Sequence, residues 1–439
     1  LIPRSDQQNV GVPPTHRMRR ENPIEGGYVH AIRPGLFPWV VMLDFKAMYP
    51  SIIIAKNLCF TTVSPEGKTV SPEGARFLTA EQRPGIIPQI LRELLADRDR
   101  FRARATESTS PEERQYYDGL QGAVKILMNS FYGVLASSFY RFTDKEIGSA
   151  ITAFAREAIT SIIRSLESEG QEVVYSDTDS VFVRSPSASL EGAREFGESL
   201  ARRFTQSGAT FEFQAVYAAL FSHGAKKRYV GRMVWPKEEL VIRGYETRRT
   251  DAFDFQSESL LEIFELILRG DTEGAIQRSR ELVKQCRDGE VAAEKLVVAR
   301  SVRAEEEYNA TTRDALPYLR VFRQLQQEGY DVIPGMKVAW IVTDAKVTPQ
   351  AVEPWIEGRA LKGKPDYPYY AERVAQTLAR VTEVFDWDAS ALLRGSHQRR
   401  LVDSGPPPPE GGSVGLDTPA TEAARPPKAR RTRALTDYS

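Results

Sequence analysis

The hexapeptide Tyr175-Ser176-Asp177-Thr178-Asp179-Ser180 narrows the folds open to this chain more than any other stretch. Val173 and Val174 precede it, and Val181, Phe182 and Val183 follow. Apolar residues on both sides of a short acidic turn predict a strand, a tight reversal and a second strand. Carboxylates at the tip of an apolar hairpin call for a cation. Hard divalent ions such as Mg²⁺ suit them, because they take carboxylate oxygens and leave places for phosphates. Far upstream, Asp44 closes another apolar run, Trp39 to Leu43, and opens its own turn. If these strand ends converge, Asp44, Asp177 and Asp179 make a two-metal site of the kind used for in-line phosphoryl or nucleotidyl transfer.

The bulk composition removes several alternatives. The chain has 439 residues, enough for several domains or one multi-lobed enzyme. With 41% hydrophobic and 27% charged residues it reads as globular. No apolar run reaches the roughly 18 residues of a membrane span, and the first residues lack the pattern of a signal peptide. The chain opens on Leu1 rather than Met, which leaves room for a natural start further upstream. Its two cysteines, Cys59 and Cys286, support neither a disulfide framework nor a zinc site, and they fit a reducing interior. The four histidines are scattered, so neither a histidine metal site nor a Ser-His-Asp triad is expected. Net charge is zero. Locally, Lys226 to Arg249 holds eight Lys/Arg against three Glu, which is either a solvated face or a track for phosphates.

Coarse organisation follows from periodicity and turn chemistry. Residues 1 to about 37 are polar and rich in Pro and Gly, with a short strand signal at Tyr28-Val29. The run after Tyr49-Pro50 suits a helix start. Residues 61–85 read as a loop or hairpin, with Ser-Pro-Glu-Gly at 64–67 and again at 71–74. An apolar stripe from Pro88 to Arg104 and a second run from about Pro111 to Gly133 predict an antiparallel helical hairpin. Between them, Ser110-Pro111-Glu112-Glu113 supplies a cap and an acidic first turn. A helix near 144–169, the acidic hairpin, a helix near 190–206 and strands near 210–234 come next. Residues 253–327 read as mostly helical, interrupted at Gly270 and Asp288-Gly289. A short strand pair is expected around Pro334-Gly335, within 333–341. Past Leu401, four prolines at 406–409 and the basic stretch to Arg433 predict a disordered tail.

On the second hairpin helix, Lys125, Asn129 and Tyr132 stand at i, i+4 and i+7, so one face carries an ammonium, an amide and a phenol ring. The ammonium can bind a triphosphate and protonate a departing pyrophosphate, and the ring can pack beneath a base pair. Arg98 and Arg102 on the facing helix add phosphate contacts. The turn after Asp44 exposes backbone N–H groups that can hold phosphate oxygens. Tyr49 would then lie against the sugar, where a ring filling the space of a 2′-hydroxyl favours deoxyribose. The alternative for Tyr49 is a core aromatic at the strand end.

The segments DFKAMYPSII, KILMNSFYG and YSDTDS, in this order and spacing, resemble motifs A, B and C of the family B DNA polymerases. Gly26-Gly27, Lys226-Lys227-Arg228-Tyr229 and Arg243-Gly244 with Glu246, Arg248, Arg249 and Asp251 add to the resemblance, as do Tyr308 and Pro334-Gly335. It covers roughly residues 20 to 400. It implies an α+β, right-hand polymerase with an antiparallel-sheet palm, helical-hairpin fingers and a mainly helical thumb. The implied divisions are 1–60 for linker and first palm part, 61–143 for fingers, 144–242 for second palm part, 243–402 for thumb and 403–439 for the tail.

The resemblance also implies roles. Asp44 and Asp179 are the principal ligands of two Mg²⁺ ions, for which Mn²⁺ can substitute, with Asp177 less direct and Phe45 counted at the same metal site. Phe45, Lys46, Ala47, Met48 and Tyr49 hold the triphosphate through backbone amides, and Tyr49 is the steric gate. Lys125 and Arg98 bind the triphosphate, and Lys125 is the general acid. Asn129 and Tyr132 shape the pocket of the nascent pair. Gly26, Gly27, Lys226, Lys227, Arg228, Tyr229, Arg243, Arg248 and Arg249 face primer-template DNA. The implied activity is addition of deoxynucleoside triphosphates to a primer 3′ end, in replication or repair, in the cytoplasm or nucleoid (the nucleus in a eukaryote).

Ile24 stands where the family has Tyr, and Thr250 where it often has Arg. Only 43 residues precede Asp44, so neither an N-terminal domain nor a 3′–5′ exonuclease is expected within this chain, nor proofreading by it alone. A separate polypeptide carrying those parts and a sliding clamp are the candidate protein partners. Three other readings stay open at this level: a catalytically silent DNA-binding subunit, half of a split polymerase, and a sugar transferase with an Asp-x-Asp turn.

Overall fold

The computed structural model describes residues 1–11, 24, 26, 33–137, 140–205, 210–245 and 252–395. The expected strand at Tyr28-Val29, together with Gly27, Glu246, Arg248, Arg249, Asp251 and the tail at 403–439, lies outside the described residues.

A short helix, α1 (Ile2–Gln7), opens the chain within the stretch that reads as polar and rich in Pro and Gly. Strand β1 (Gly35–Phe45) then forms the middle of a sheet, because its apolar run is buried on both sides. Val41, Leu43 and Phe45 enter one core and Phe37 and Val40 the other. Helix α2 (Met48–Ala55) leaves the end of β1 directly. The minimal hairpin of β2 (Thr69–Val70) and β3 (Arg76–Phe77) leads to α3 (Ile86–Glu107) and α4 (Pro111–Ala136). Ser110 caps α4 by accepting from the Glu113 amide at 3.4 Å. Phe101 of α3 and Tyr117 of α4 stack with ring centres 6.3 Å apart. The long helical hairpin therefore forms as its local sequence dictates.

Helix α5 (Lys145–Ser168) is capped by Asp144, whose carboxylate accepts from the amides of Glu146 and Ile147. The acidic hairpin follows as β4 (Val173–Asp177) and β5 (Ser180–Arg184), then α6 (Leu190–Phe204). Strands β6 (Phe211–Ser222), β7 (Tyr229–Trp235) and β8 (Glu239–Arg243) complete a six-stranded sheet in the order β4-β5-β1-β6-β7-β8. All its pairings are antiparallel. One face packs Ile52, Ile53, Leu91, Ile151 and Ile159 from the helices against Val181, Val183 and Val216 of the sheet. Each such side chain, fully buried, contributes about 1.5–3 kcal/mol. The other face carries the aromatic group Tyr175, Phe182, Tyr217 and Tyr229.

A separate core holds the C-terminal part. Helices α7 (Asp254–Leu268) and α8 (Thr272–Arg287) precede β9 (Val298–Ser301) and α9 (Pro317–Gln327). Strands β10 (Lys337–Asp344) and β11 (Ala351–Pro354) and helices α10 (Tyr367–Thr382) and α11 (Ala389–Arg394) end the described fold.

Residues 253–327 are mostly helical, with α8 and α9 separated over 288–316 by three one-turn 3₁₀ segments and β9. One sequence expectation needs correction: no strand pair turns at Pro334-Gly335. Gly335, at φ 99°, donates to the Val302 carbonyl at 2.6 Å and feeds the chain into β10. The partners of β10 are β9 and β11, in the order β11-β10-β9. β9 lies some 40 residues back in the chain, a pairing that no local periodicity announces. Among the described residues, no helix is long and apolar enough to cross a membrane.

Candidate active site

The sheet register brings the distant acids together. Asp44 lies opposite Ser180 of β5 on one side and Glu212 of β6 on the other. Thr178, in the left-handed region at φ 57°, makes the tight turn of the acidic hairpin. The Phe45 amide donates to the Asp179 carbonyl at 2.9 Å, which ties the hairpin tip to the end of β1. Asp44 and Asp179 both line a cleft of about 470 Å³.

Burial pushes the Asp44 carboxyl up to about 7, and the charges of Asp179 and Glu212 add to it, against an opposing pull from Lys125. Asp179 is also raised, first by burial, with Asp177 adding to it. Carboxylates held this close and this dry resist ionising together unless a cation shares the site. Their hard oxygen donors fit a divalent ion such as Mg²⁺.

The expected trio does not assemble. Asp177 does not line the cleft; its carboxylate lies 3.5 Å from the Lys227 ammonium instead. Among the described residues, no group of three His, Cys, Asp or Glu is placed to hold a metal. The tight turn at Thr178 separates the two acids, so that Asp179 faces the cleft and Asp177 stays at the end of β4. Sequence reasoning missed Glu212 altogether. The only signal was an acidic residue alternating with Phe211 and Phe213 in an expected strand, and nothing local reveals that it lands beside Asp44.

The turn after Asp44 needs a second correction. Of the five amides expected to face phosphates, that of Phe45 is engaged as described, and that of Lys46 donates to the Thr210 carbonyl at 2.9 Å. Ala47, in the left-handed region at φ 51°, starts α2, and among the described residues no side chain caps that helix. Ala47, Met48 and Tyr49 all line the cleft. Their amides are the helix-start donors that an anion would meet there.

The opposite wall comes from the helical hairpin: Lys125, Asn129 and Tyr132 from α4, and Arg98 and Arg102 from α3. The i, i+4, i+7 face thus lines the cleft. Tyr49 and Tyr132 lie ring against ring, with centres 4.6 Å apart and planes at 34°. Burial, with Tyr132 and Asp179 nearby, pushes the Tyr49 phenol up to about 12, so it stays neutral. Burial and Arg102 lower Arg98, whose Nε has no hydrogen-bond partner among the described residues.

The basic segment sits beside the acidic hairpin and does not line the cleft. Lys226, Lys227 and Arg228 occupy the β6–β7 turn. Lys227, at φ 64°, donates its amide to the Tyr175 hydroxyl at 3.2 Å. Tyr229 is buried among Tyr175 and Phe182, and lies opposite Arg243 in the register of β7 and β8. Gly244, at φ 69°, explains why glycine follows Arg243: a Cβ there would lie 2.0 Å from the Lys227 carbonyl oxygen. The Gly26 carbonyl accepts from Arg156 of α5 at 3.1 Å.

An antiparallel sheet with acids at its strand ends, facing a basic helical hairpin across a cleft, is the architecture of a right-hand polymerase. The comparisons with known proteins agree. The family model of DNA polymerase family B matches residues 1–385. The chain is 31% identical over 383 residues to a DNA polymerase of Thermococcus gorgonarius, covering 84% of this chain and 48% of the relative. It is 27% identical to the DNA polymerase delta catalytic subunit of Oryza sativa subsp. japonica, covering 92% of this chain and 40% of that protein. The solved structure of the family B DNA polymerase from the hyperthermophilic archaeon Pyrobaculum calidifontis superposes with a TM-score of 0.64 at 29% identity, covering 87% of this chain and 50% of that one. The chain belongs to the family B DNA polymerases. It spans about half the length of the archaeal relatives it matches.

Proposed function

We propose that this chain is a DNA-directed DNA polymerase that adds deoxynucleotides to a primer 3′ end on a template. The observation that carries this reading is one cleft with Asp44 and Asp179 on its sheet wall and Lys125, Arg98 and Arg102 on its helical wall. The same reading assigns 1–60 and 144–242 to the palm, 61–143 to the fingers and 243–402 to the thumb.

Asp44 and Asp179, with Phe45 beside them, hold the divalent cations, Mg²⁺ or in its place Mn²⁺. Bound there, such ions lower the pKa of the primer 3′-hydroxyl and offset the charge of the triphosphate. The remaining work falls to the chain itself. The amides of Ala47, Met48 and Tyr49 and the side chains of Arg98, Arg102 and Lys125 hold the triphosphate. The primer 3′-hydroxyl gives its proton to solvent water, its oxygen bonds to the α-phosphorus as the bond to pyrophosphate breaks, and Lys125 gives its proton to the departing oxygen. The Tyr49 ring, braced by Tyr132, fills the volume a 2′-hydroxyl would need. Asn129 and Tyr132 shape the space for the new pair. Lys226, Lys227, Arg228 and Arg243 take the primer strand, and the Lys227–Asp177 pair links that contact to the acidic hairpin. Tyr229 supports this segment from below, through the aromatic face of the sheet.

Extension of a labelled primer by the purified chain with Mg²⁺ and deoxynucleotides tests the reading. Template-matched extension is the expected result, and binding of primer-template without extension by any cation would overturn it.

A further inference from the structure

Among the described residues, Lys46 is the one cation of the cleft that belongs to the acidic wall. It stands two residues after Asp44 and lines the cleft with Arg98, Arg102 and Lys125. Its ammonium does not stand free. Nζ lies 2.7 Å from Asp99 Oδ1 and 2.8 Å from Oδ2, and its side chain is only 19% exposed. Asp99 belongs to α3, between Arg98 and Arg102 on the opposite wall, and it does not line the cleft. The pair therefore joins the turn after β1 to helix α3 of the helical hairpin.

We propose that Lys46 is a further phosphate-binding side chain of the cleft, held in reserve by Asp99 until an incoming triphosphate takes its place. The inference rests on the nucleotide-binding reading above and adds to it a side chain whose backbone amide is already engaged elsewhere. A carboxylate offers Lys46 one negative charge, whereas a triphosphate offers several, with oxygens in many directions. A lysine stem has enough rotatable bonds to re-aim its ammonium without moving the backbone. Asp99 is 47% exposed, so it returns to water at little cost once released. On this account Asp99 competes with the nucleotide.

A dideoxy-terminated primer-template bound to the chain in Mg²⁺ allows the matched deoxynucleoside triphosphate to be titrated at equilibrium. Asp99→Asn is expected to tighten its binding about two- to fivefold, and Lys46→Met to weaken it by a similar factor. The Lys46→Met/Asp99→Asn double variant should match Lys46→Met alone, because Asp99 acts through Lys46. Asp99→Glu, which keeps the charge, should stay near wild type, and thermal melting checks that every variant folds. Weaker or unchanged binding in Asp99→Asn overturns the inference and leaves the pair a tether. A double variant that binds more tightly than Lys46→Met also overturns it, because Asp99 would then act through Arg98. A wild-type chain that extends primers while these variants fail the pattern refutes this inference alone. A wild-type chain that neither binds nucleotide nor extends primers refutes the nucleotide-binding reading beneath it.

Discussion

The two walls of the cleft are built on opposite plans. On the sheet side, Asp44, Asp179 and Glu212 are held by strand register and by the Phe45–Asp179 backbone bond, so their positions are set to within a side-chain rotation. On the helical side, Lys125 and Asn129 are exposed and the long Arg98 and Arg102 reach in from α3. Burial first, with neighbouring acid charge adding to it, raises the carboxyls of Asp44 and Asp179, whereas the helical wall presents long, rotatable bases, of which Arg98 is itself lowered by burial and by Arg102. The lesson is a division of labour: the sheet fixes acids in place, and the hairpin brings long basic side chains to face them.

The sharpest way to break this comparison is to remove an acid. Asp44→Ala or Asp179→Ala should lower single-nucleotide incorporation by on the order of 10³-fold or more, with primer-template binding by anisotropy largely kept. Near-normal incorporation by either variant would end the claim that the rigid wall is the catalytic one.

Stability in chelator sharpens the same point. Asp44 holds its proton up to about 7 in the fold against an ordinary 3.8. Between those values the folded state binds more protons than the unfolded state, so stability falls as pH rises through that window. The gap corresponds to on the order of 4 kcal/mol, present in full only above about pH 7. Asp44→Asn should therefore raise the Tm of the metal-free chain at pH 8 and leave it unchanged near pH 3.5. Mg²⁺ should stabilise the wild type at pH 8 more than it stabilises Asp44→Asn.

On the adaptable wall, Lys125→Arg keeps the charge and removes the readily given proton. Nucleotide affinity should hold while the rate of the chemical step drops by about 10²-fold. A loss in affinity with an unchanged rate would make Lys125 a phosphate clamp only. The smallest effect concerns selectivity. Tyr49→Ala should raise relative ribonucleotide use by about tenfold or more, measured as the ratio of kcat/KM for ribo- and deoxynucleotides. Tyr132→Ala should move the same ratio less, because the ring that fills the space would remain.

The legible parts of the site are those whose signals are local. Ser110 before Pro111-Glu112-Glu113 announces α4, and Lys125, Asn129 and Tyr132 at helical spacing announce the face it turns to the cleft. The valines around Asp177-Thr178-Asp179 announce the hairpin. The misjudged parts depend on register or on close packing. Glu212 joins the acids because β6 pairs with β1 across about 170 residues of sequence, and β9 finds β10 the same way. Asp177 leaves the group because Lys227 approaches it through a turn held by Tyr175. The Lys46–Asp99 pair spans 53 residues and two separate elements.

By itself the amino-acid sequence determined the elements and the chemical types. It put acids at strand ends, an ammonium, amide and phenol on one helix face, and a basic turn after β6, because propensity, capping and periodicity act over a few residues. Only the tertiary structure decided which charges meet. Antiparallel pairing made Asp44, Asp179 and Glu212 neighbours, withdrew Asp177 to Lys227 and gave Lys46 to Asp99, since a Coulomb interaction depends on distance in space and not on separation along the chain.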